Sequence, residues 1–150
     1  MAVRVQEADF DIGRELADLT AGNHAIGGLG VFVGLVRDIA GGEAVSAMSL
    51  EHYPSMTERQ LAEIEAEALA RWPLEASLII HRVGDLMPGD NIVLVACASA
   101  HRQAALDATA FLIDWLKTKA PFWKREETPE GARWVDARES DDAAAARWSK

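Results

Sequence analysis

The chain has 150 residues, of which 49% are hydrophobic, and this combination suits a folded domain and excludes a disordered protein. The formal net charge of −9 argues against nucleic-acid binding through broad phosphate neutralisation. The sequence has no apolar run near the roughly 20 residues of a membrane span, no signal peptide over residues 1–10, and one cysteine, so we expect a single cytoplasmic domain over residues 1–150.

The first half of the chain predicts two strands that form a hairpin. Residues 27–30 are rich in glycine and are interpreted as a turn, which leads into a short apolar run over residues 31–36 that is typical of a buried strand. Gly41 and Gly42 favour a second turn. Residues 45–53 then alternate in the manner of a half-buried strand, and we expect this strand to pair with the previous one.

A helix is predicted next, from Ser55 to about Trp72. Ser55 and Glu58 match the capping-box pattern at its start, and Pro73 ends it. The acidic residues between positions 63 and 67 are expected to face solvent. An apolar stripe at helical spacing comprises Leu61, Ile64, Ala68 and Trp72.

Two further strands and a second long helix complete the pattern. Residues 76–83 and 91–98 are apolar strands joined by a Pro-Gly turn, and the second is apolar at almost every position, as a central strand covered on both faces would be. A helix is predicted over about residues 102–118. Residues 122–150 are aromatic and charged, with a short helical tail from Asp141. This mixture of strands and helices predicts an α+β domain.

Basic residues are concentrated in one window of this acidic chain. Between His101 and Arg125 there are five Lys or Arg residues and two Asp residues, so the window carries +3 and the rest of the chain −12. A local cationic cluster on an acidic protein is typical of a site for a small anion. A solvated surface that happens to be basic is the alternative.

Three cationic residues lie where a strand ends. His101 and Arg102 stand between a central strand and a helix, so their side chains and the free N–H groups of the helix N-terminus can clamp a phosphate or carboxylate. Alternatively, His101 caps the helix and Arg102 points to solvent. Arg37 ends the first core strand, and its structural alternative is a surface ion pair with Asp38.

The lysines near the end of the second helix divide into two groups. Lys117 and Lys119 can offset the negative end of the helix dipole, which is a common structural use. Lys124 and Arg125 lie beyond Pro121, where no dipole accounts for them. Neighbouring cations and aromatic walls disfavour a further ammonium charge, so a lysine here is a candidate for acid–base or covalent chemistry.

Other chemistries find little support in the sequence. Cys97 lies in an apolar strand with no adjacent basic residue, which is typical of a buried, inert thiol. The four histidines are scattered without the paired spacing of metal motifs, so we expect no metal site. Glu51 and His52 face opposite sides of the predicted strand, which argues against an acid–base pair.

One long and unusual motif, Lys-Thr-Lys-Ala-Pro-Phe-Trp-Lys-Arg-Glu at residues 117–126, occurs together with several shorter ones. The shorter motifs are residues 50–54, 81–84, 88–90, 99–102 and 131–134. Together they resemble the large-subunit family of molybdopterin synthase. The resemblance runs in order from about Val31 to Trp148, which is most of the chain.

The resemblance implies an α/β hammerhead-type fold with a smaller β subdomain, acting as a homodimer. Each large subunit would bind one small ubiquitin-like sulfur-carrier subunit, whose C-terminal Gly-Gly carries a thiocarboxylate, so a heterotetramer is expected. The implied reaction converts cyclic pyranopterin monophosphate to molybdopterin by two sulfur transfers, in molybdenum cofactor biosynthesis. It needs no metal or organic cofactor.

The resemblance also implies a site. Lys117 and Lys124 match catalytic lysines, with Lys124 handling the pterin side chain by acid–base or covalent chemistry and Lys117 stabilising the thiocarboxylate and intermediates, or the reverse. These two lysines and seven further residues match substrate-binding positions. The seven are Leu35, Val36, Arg37, His101, Arg102, Arg125 and Glu126.

Three residues depart from the family pattern. Lys119 stands where arginine is frequent, which keeps the charge but not a bidentate geometry. Ser55 stands where glycine is frequent, an exchange expected to be harmless because serine caps helices well. Leu35 stands where a polar or basic residue can occur, so its backbone rather than its side chain is the expected substrate contact.

Two other functions fit parts of the sequence. A non-catalytic scaffold that docks a ubiquitin-like tail would have the same cationic pocket but would leave the pterin without sulfur. A phosphate-ester hydrolase using His101 and the lysines is weakened because the sequence offers neither a metal cluster nor a nucleophile paired with a base.

Overall fold

The computed structural model describes residues 2–40, 43–44, 47–52, 55–119, 122–129, 131–135, 143 and 145–148, and of residues 39–40, 43–44, 52, 119, 122–128 and 132–135 it describes the backbone alone. This part of the chain contains helices between runs of strands that pair mostly antiparallel, which confirms the α+β class. In chain order they are β1 (Ala2–Gln6), α1 (Ile12–Thr20), β2 (Gly28–Leu35), β3 (Ile39–Ala40), β4 (Glu43–Ala44), β5 (Ala47–His52), α2 (Met56–Arg71), β6 (Leu74–Arg82), β7 (Gly84–Leu86), β8 (Asn91–Ser99), α3 (Arg102–Lys119), β9 (Phe122–Thr128) and β10 (Gly131–Val135).

The main sheet has the strand order β1-β6-β8-β2, in which β1 runs parallel to β6 and the other neighbours are antiparallel. Alternate residues of β8 point to opposite faces. Val93 and Val95 pack beneath α2 and α3, whereas Leu94 and Ala96 pack beneath α1. The prediction that this segment is a central strand covered on both faces is therefore confirmed.

Both long helices predicted from the sequence are present, as α2 and α3. Leu61 and Ile64 of α2 are buried in the core that α2 and α3 form with the main sheet, as the apolar stripe predicts. The expectation that the acidic residues of α2 face solvent is wrong for Glu65, which is 7% exposed and accepts a hydrogen bond from the Ser77 hydroxyl at 2.6 Å. Glu65 is four residues from Leu61 and therefore shares its face of the helix.

The start of α2 differs from the predicted capping box. Ser55 has a φ of 69° and a ψ of −45°, and its side chain makes no capping hydrogen bond. A capping residue needs an extended backbone, from which its hydroxyl can reach the N–H groups of the first turn. Glycine adopts a positive φ without steric cost. Ser55 is therefore strained where glycine would not be, and the expectation that serine is harmless here because it caps the helix is wrong.

The predicted hairpin between the first two strands is wrong. β5 pairs with β7 and β9 in a second sheet of order β10-β9-β5-β7, and β2 pairs with β8. Met48 and Leu50 of β5 are buried in a cluster of their own with Val36 and Leu86. The strands that flank β5 are far from it in sequence, so local spacing could not reveal them. The turn predicted at residues 41–42 lies outside the described residues.

β2 begins earlier than predicted and is less buried. Residues 28–30, interpreted as a turn, belong to the strand. Val31 is 41% and Phe32 38% exposed, because β2 forms an edge of the main sheet. A Cβ at Gly30 would lie 2.4 Å from the carbonyl oxygen of Ala105. The glycine therefore allows α3 to pack directly on the strand backbone.

Both ends of the chain contain elements that the sequence did not predict. β1 and α1 extend the main sheet and cover its second face, and β9 and β10 form a hairpin in the second sheet. The Trp148 ring packs edge-on against Trp72 and Phe111, with centroids 5.5 and 5.7 Å away, and its Nε1 donates to the Asp114 carboxylate at 2.7 Å. Residues 143 and 145–146 are helical, as part of the predicted tail, whereas Asp141 lies outside the described residues.

None of the helices in the described ranges has both the length and the apolar character that crossing a bilayer requires.

We predict that Gly30→Ala lowers the stability of the fold. The added methyl group would lie 2.4 Å from the Ala105 carbonyl oxygen and 2.6 Å from the Thr109 hydroxyl. Overpacking of this kind costs about 1–3 kcal/mol and sometimes more, so the melting temperature should fall by about 10 °C. Thermal unfolding followed by circular dichroism measures this.

Gly13→Ala in α1 is the matched control, because its methyl group would meet the Asp11 carboxylate at 3.6 Å, an ordinary contact. This variant should melt at or above the native temperature, since alanine is the better helix former. If Gly30→Ala melted together with it, close packing of α3 on β2 would not require glycine.

Candidate functional site

The first group of candidate residues, which we call the His101 cluster, consists of His101, Arg102 and the first turn of α3. The His101 N–H donates to the Ser99 hydroxyl at 3.2 Å, and its carbonyl accepts from the Ala105 N–H at 3.2 Å, so His101 begins the helix with its backbone. The Ser99 hydroxyl also donates to the Pro73 carbonyl at 2.8 Å, which fixes this turn to the segment after α2.

The side chains of the His101 cluster are exposed beside a helix N-terminus. The first turn of α3 has no acidic residue, so the positive end of the helix dipole is open to an anion. Within the described ranges, the guanidinium of Arg102 makes no hydrogen bond or ion pair. Backbone capping by His101 and anion binding by the two side chains are therefore compatible, although the sequence presented them as alternatives.

The second group, which we call the Arg37 cluster, surrounds a cleft of about 500 Å³. Val36 is 6% exposed, its N–H donates to the Asp90 carbonyl at 2.9 Å, and its carbonyl accepts from the Gly89 N–H at 2.8 Å. Its N–H is therefore not available to a substrate. The cleft is lined by Val36, Arg37, Asp38, Pro88 and Gly89.

Arg37 is exposed at this cleft. It forms no ion pair with Asp38 and no hydrogen bond to any other described residue, so the structural alternative for this arginine is not realised. A planar guanidinium at the wall of a cleft is suited to bind a phosphate or carboxylate through two N–H groups. Leu35, just before it, is 51% exposed.

Sequence reasoning missed Pro88 and Gly89 of this cleft, and it named Asp38 only as an ion-pair partner of Arg37. The Pro-Gly pair was interpreted only as a turn between two strands. It also lies in one of the motifs that resemble the family, residues 88–90, and this was the one available signal of a role at the site.

The lysine-rich motif lies near the same end of the molecule. Lys117 is exposed in the last turns of α3. The backbone register of β9 places Lys124 opposite Leu50, and Leu50 shares a buried cluster with Val36 beside the cleft. Arg125 and Glu126 are opposite Ser49 and Met48 in the same register. The side chains of residues 119 and 124–126 lie outside the described part of the chain, so their contribution to the site stays a prediction.

α3 runs alongside β2 in the same direction, and this separates the two clusters. A Cβ at Gly28 would lie 3.8 Å from the Arg102 Cα, so the His101 cluster is at the start of β2. With a rise of 1.5 Å per residue, Arg102 and Lys117 are about 22 Å apart along α3. The eight residues of β2 span a similar distance, about 23 Å. One chain therefore does not bring the two clusters to a common small substrate.

Cys97 is buried completely in the core between β8 and α3. Burial raises the pKa of its thiol to about 11, although a hydrogen bond with Thr109 lowers the pKa by a smaller amount. Because the thiolate is the reactive form, this thiol is inert in the folded protein. The described residues also contain no group of three or more His, Cys, Asp or Glu arranged to hold a metal ion.

Comparison with known proteins gives one consistent family. The model of the family described as MoaE protein matches residues 5–119. A relative from Pseudomonas aeruginosa, named molybdopterin synthase catalytic subunit, is 59% identical over 150 residues, which covers 100% of both chains. A molybdopterin biosynthesis MoaE protein from Burkholderia ambifaria MC40-6 has a TM-score of 0.85 at 54% identity, covering 100% of this chain and 99% of that one. Molybdopterin synthase from Staphylococcus aureus has a TM-score of 0.82 at 30% identity, covering 89% of this chain and 96% of that one.

We predict that a thiol reagent such as dithionitrobenzoate does not label the native protein at pH 8. A pKa of about 11 leaves only about one thiolate in a thousand at this pH, and the buried sulfur is out of reach. One equivalent of thiol should react after unfolding in guanidinium chloride. Rapid stoichiometric labelling of the native protein would contradict the buried position.

The same shift in pKa has a consequence for stability. The folded-state pKa is above the ordinary value of 9.0, so the stabilisation linked to the neutral thiol is present below pH 9 and is lost as the pH rises toward 11.

Proposed function

The chain belongs to the MoaE protein family, and from this membership we infer that it is the catalytic subunit of a molybdopterin synthase. It acts as a sulfurtransferase in molybdenum cofactor biosynthesis and converts cyclic pyranopterin monophosphate to molybdopterin. The sulfur comes from the C-terminal thiocarboxylate of a small ubiquitin-like partner subunit. The observation that carries this inference is the 59% identity over the full length of both chains with a relative named as that subunit.

The exposed cations suit the chemistry of both reactants. The pterin substrate has a phosphate and the partner's tail ends in an anionic thiocarboxylate, so each needs charge-assisted hydrogen bonds. Arg37 and Arg102 present guanidinium groups that are not engaged with other described residues, on a chain whose net charge is −9. Because sulfur arrives on the partner, the reaction does not need a thiol from this chain, and Cys97 is buried.

Two lysines carry the proposed chemistry. Lys124 handles the pterin side chain by acid–base or covalent chemistry, and Lys117 stabilises the thiocarboxylate and the intermediates, although the two roles can be exchanged. Arg125 and Glu126 would line the same pocket. The support is the position of Lys117 at the end of α3 and the register that brings the backbone of Lys124 opposite Leu50.

We propose that the complete site is formed by two copies of the chain, as a homodimer that becomes a heterotetramer with two small subunits. The outer edge of β2 has no strand partner among the described residues, and it exposes Val31 and Phe32. A two-fold contact along this edge would place two β2 strands antiparallel. The start of one β2 would then lie beside the end of the other, so the His101 cluster of one copy would meet the Arg37 cluster of its partner.

We also propose that residues 1–150 act as one domain in the cytoplasm. Both reactants, a phosphorylated pterin and a thiocarboxylated protein, carry charges that a bilayer excludes. The proposed chemistry uses side chains and the partner's sulfur, without a metal or organic cofactor.

We predict that Lys117→Ala and Lys124→Ala each abolish most of the sulfur transfer. A positioned acid or base typically contributes 10²- to 10⁴-fold to a rate, so product formation should fall by about a hundredfold or more. The assay combines cyclic pyranopterin monophosphate with the thiocarboxylated small subunit and measures molybdopterin. Arg14→Ala is the control, since Arg14 is an exposed cation on α1, on the opposite face of the main sheet from α3.

The native chain decides between enzyme and scaffold in this assay. Binding of the small subunit without product would show that the chain only docks the partner. Full activity in both folded lysine variants would show that the reaction does not depend on them.

We predict that Arg102→Ala and Lys117→Ala each lose most of the activity alone and restore part of it when they are refolded together. If Arg102 of one copy and Lys117 of the other complete one site, half of the dimers are mixed, and each mixed dimer has one intact and one doubly altered site. The mixture should therefore reach about a quarter of the native activity per dimer. The measurement is the same sulfur-transfer assay after equimolar mixing, with each variant refolded alone as the control. A mixture no more active than its parents would place each site within a single chain.

A further inference from the structure

The backbone just before Arg37 is held from two directions. The Val36 N–H donates to the Asp90 carbonyl at 2.9 Å, and the Val36 carbonyl accepts from the Gly89 N–H at 2.8 Å. The Val36 side chain is 6% exposed in the cluster that joins β2 to the second sheet. Neither the backbone nor the side chain of Val36 can rotate without losing these contacts, so the direction in which the chain leaves Val36 is fixed.

The segment that holds Val36 is a turn that closes on itself. The Met87 N–H donates to the Asp90 carboxylate at 2.8 Å, and the Asp90 N–H donates to the Met87 carbonyl at 3.0 Å. Gly89 has a φ of 90°, a conformation that other residues adopt only with strain. The side chain of Asp90 therefore stabilises the conformation in which Gly89 and Asp90 face Val36.

The turn and the arginine lie on the same cleft. Pro88 and Gly89 line it together with Arg37, and its volume is about 500 Å³. The β2–β8 register also shifts between Gly34 and Leu35, just before this point. An irregularity of this kind bends a strand and redirects the side chains beyond it. Beyond the shift, Leu35 pairs with Asn91 of β8, and the hydrogen bonds from the turn to Val36 then fix the direction in which the strand continues toward Arg37.

We propose that Asp90 is a positioning residue for Arg37: its carboxylate holds the 87–90 turn, and the turn aims the guanidinium at the substrate's anionic group across the cleft. This assignment rests on the proposed function and adds to it, because the sequence resemblance gave no role to the turn. Asp90 itself does not contact the substrate. Its hydrogen bond acts through Val36 on the residue that does.

The test is a double-mutant cycle on KM for cyclic pyranopterin monophosphate. Loss of a charge-assisted contact should raise KM about 10- to 100-fold in Arg37→Ala. Asp90→Ala should raise KM about tenfold with kcat within about twofold of the native value, because the guanidinium is misplaced but the lysines are intact. In the Arg37→Ala background, Asp90→Ala should change KM by less than about twofold, since its effect passes through Arg37.

A conservative variant separates positioning from charge. Asp90→Asn keeps an oxygen that can accept from the Met87 N–H, so its KM should stay within about twofold of the native value. Asp85→Ala removes an exposed carboxylate from neighbouring β7 and should leave KM unchanged. The far-ultraviolet circular dichroism spectrum should be unchanged in all these variants, which shows that they are folded.

The outcomes distinguish the two proposals. A native protein that makes no molybdopterin would overturn the proposed function. If the native protein makes molybdopterin, two results would overturn the role of Asp90. One is that the KM increases of Arg37→Ala and Asp90→Ala multiply in the double variant. The other is that Asp90→Asn raises KM as much as Asp90→Ala. If Asp90→Ala does not fold, Gly89→Ala strains the same turn at φ 90° and should give the same Arg37-dependent rise in KM.

Discussion

α3 lies directly on the backbone of β2, and the positions of His101, Arg102 and Lys117 relative to β2 depend on this contact. Gly30 makes it possible, because any side chain there would collide with the Ala105 carbonyl and the Thr109 hydroxyl. The contact aligns the helix with the strand, so both start at the same end of the molecule. His101 and Arg102 are therefore fixed at one end of an α3 of 18 residues, and Lys117 is carried to the other.

The second sheet is attached where β2 ends, through an apolar cluster of Val36, Met48, Leu50 and Leu86. Ile92 packs against both this cluster and the core of the main sheet, so the two sheets share part of their interior. The attachment brings β5 beside the Arg37 cleft, and β9 follows because it pairs with β5. Arg37, the 87–90 turn and the backbone of the lysine motif therefore lie close to the end of β2. The edge of β2 stays exposed.

The predictions that were confirmed depend on interactions between residues close in sequence. The stripe of Leu61, Ile64 and Ala68 repeats with the period of a helix, and α2 has almost the predicted limits. The apolar run before Ser99 is typical of a strand covered on both faces, which is how β8 is packed. The wrong predictions concern which strands pair with each other. Nothing near β5 in the sequence shows that β7 and β9 flank it, and nothing there predicts the positive φ of Ser55.

The sequence by itself determined the family, the α+β class, the long helices and the residue types of the site. Motifs, hydrophobic periodicity and charge depend on residues that are close in sequence, so they can be recognised without the fold. It did not determine which of those residues meet. The order of residues does not show how far apart Arg102 and Lys117 lie, or that Val31 and Phe32 are exposed at a sheet edge. Those facts follow from the packing of α3 on β2, since close contact between distant segments depends on the shape of both surfaces at once. Only the tertiary structure therefore decided that the cations of one chain form two clusters about 22 Å apart, and that a turn remote in sequence holds the residue before Arg37.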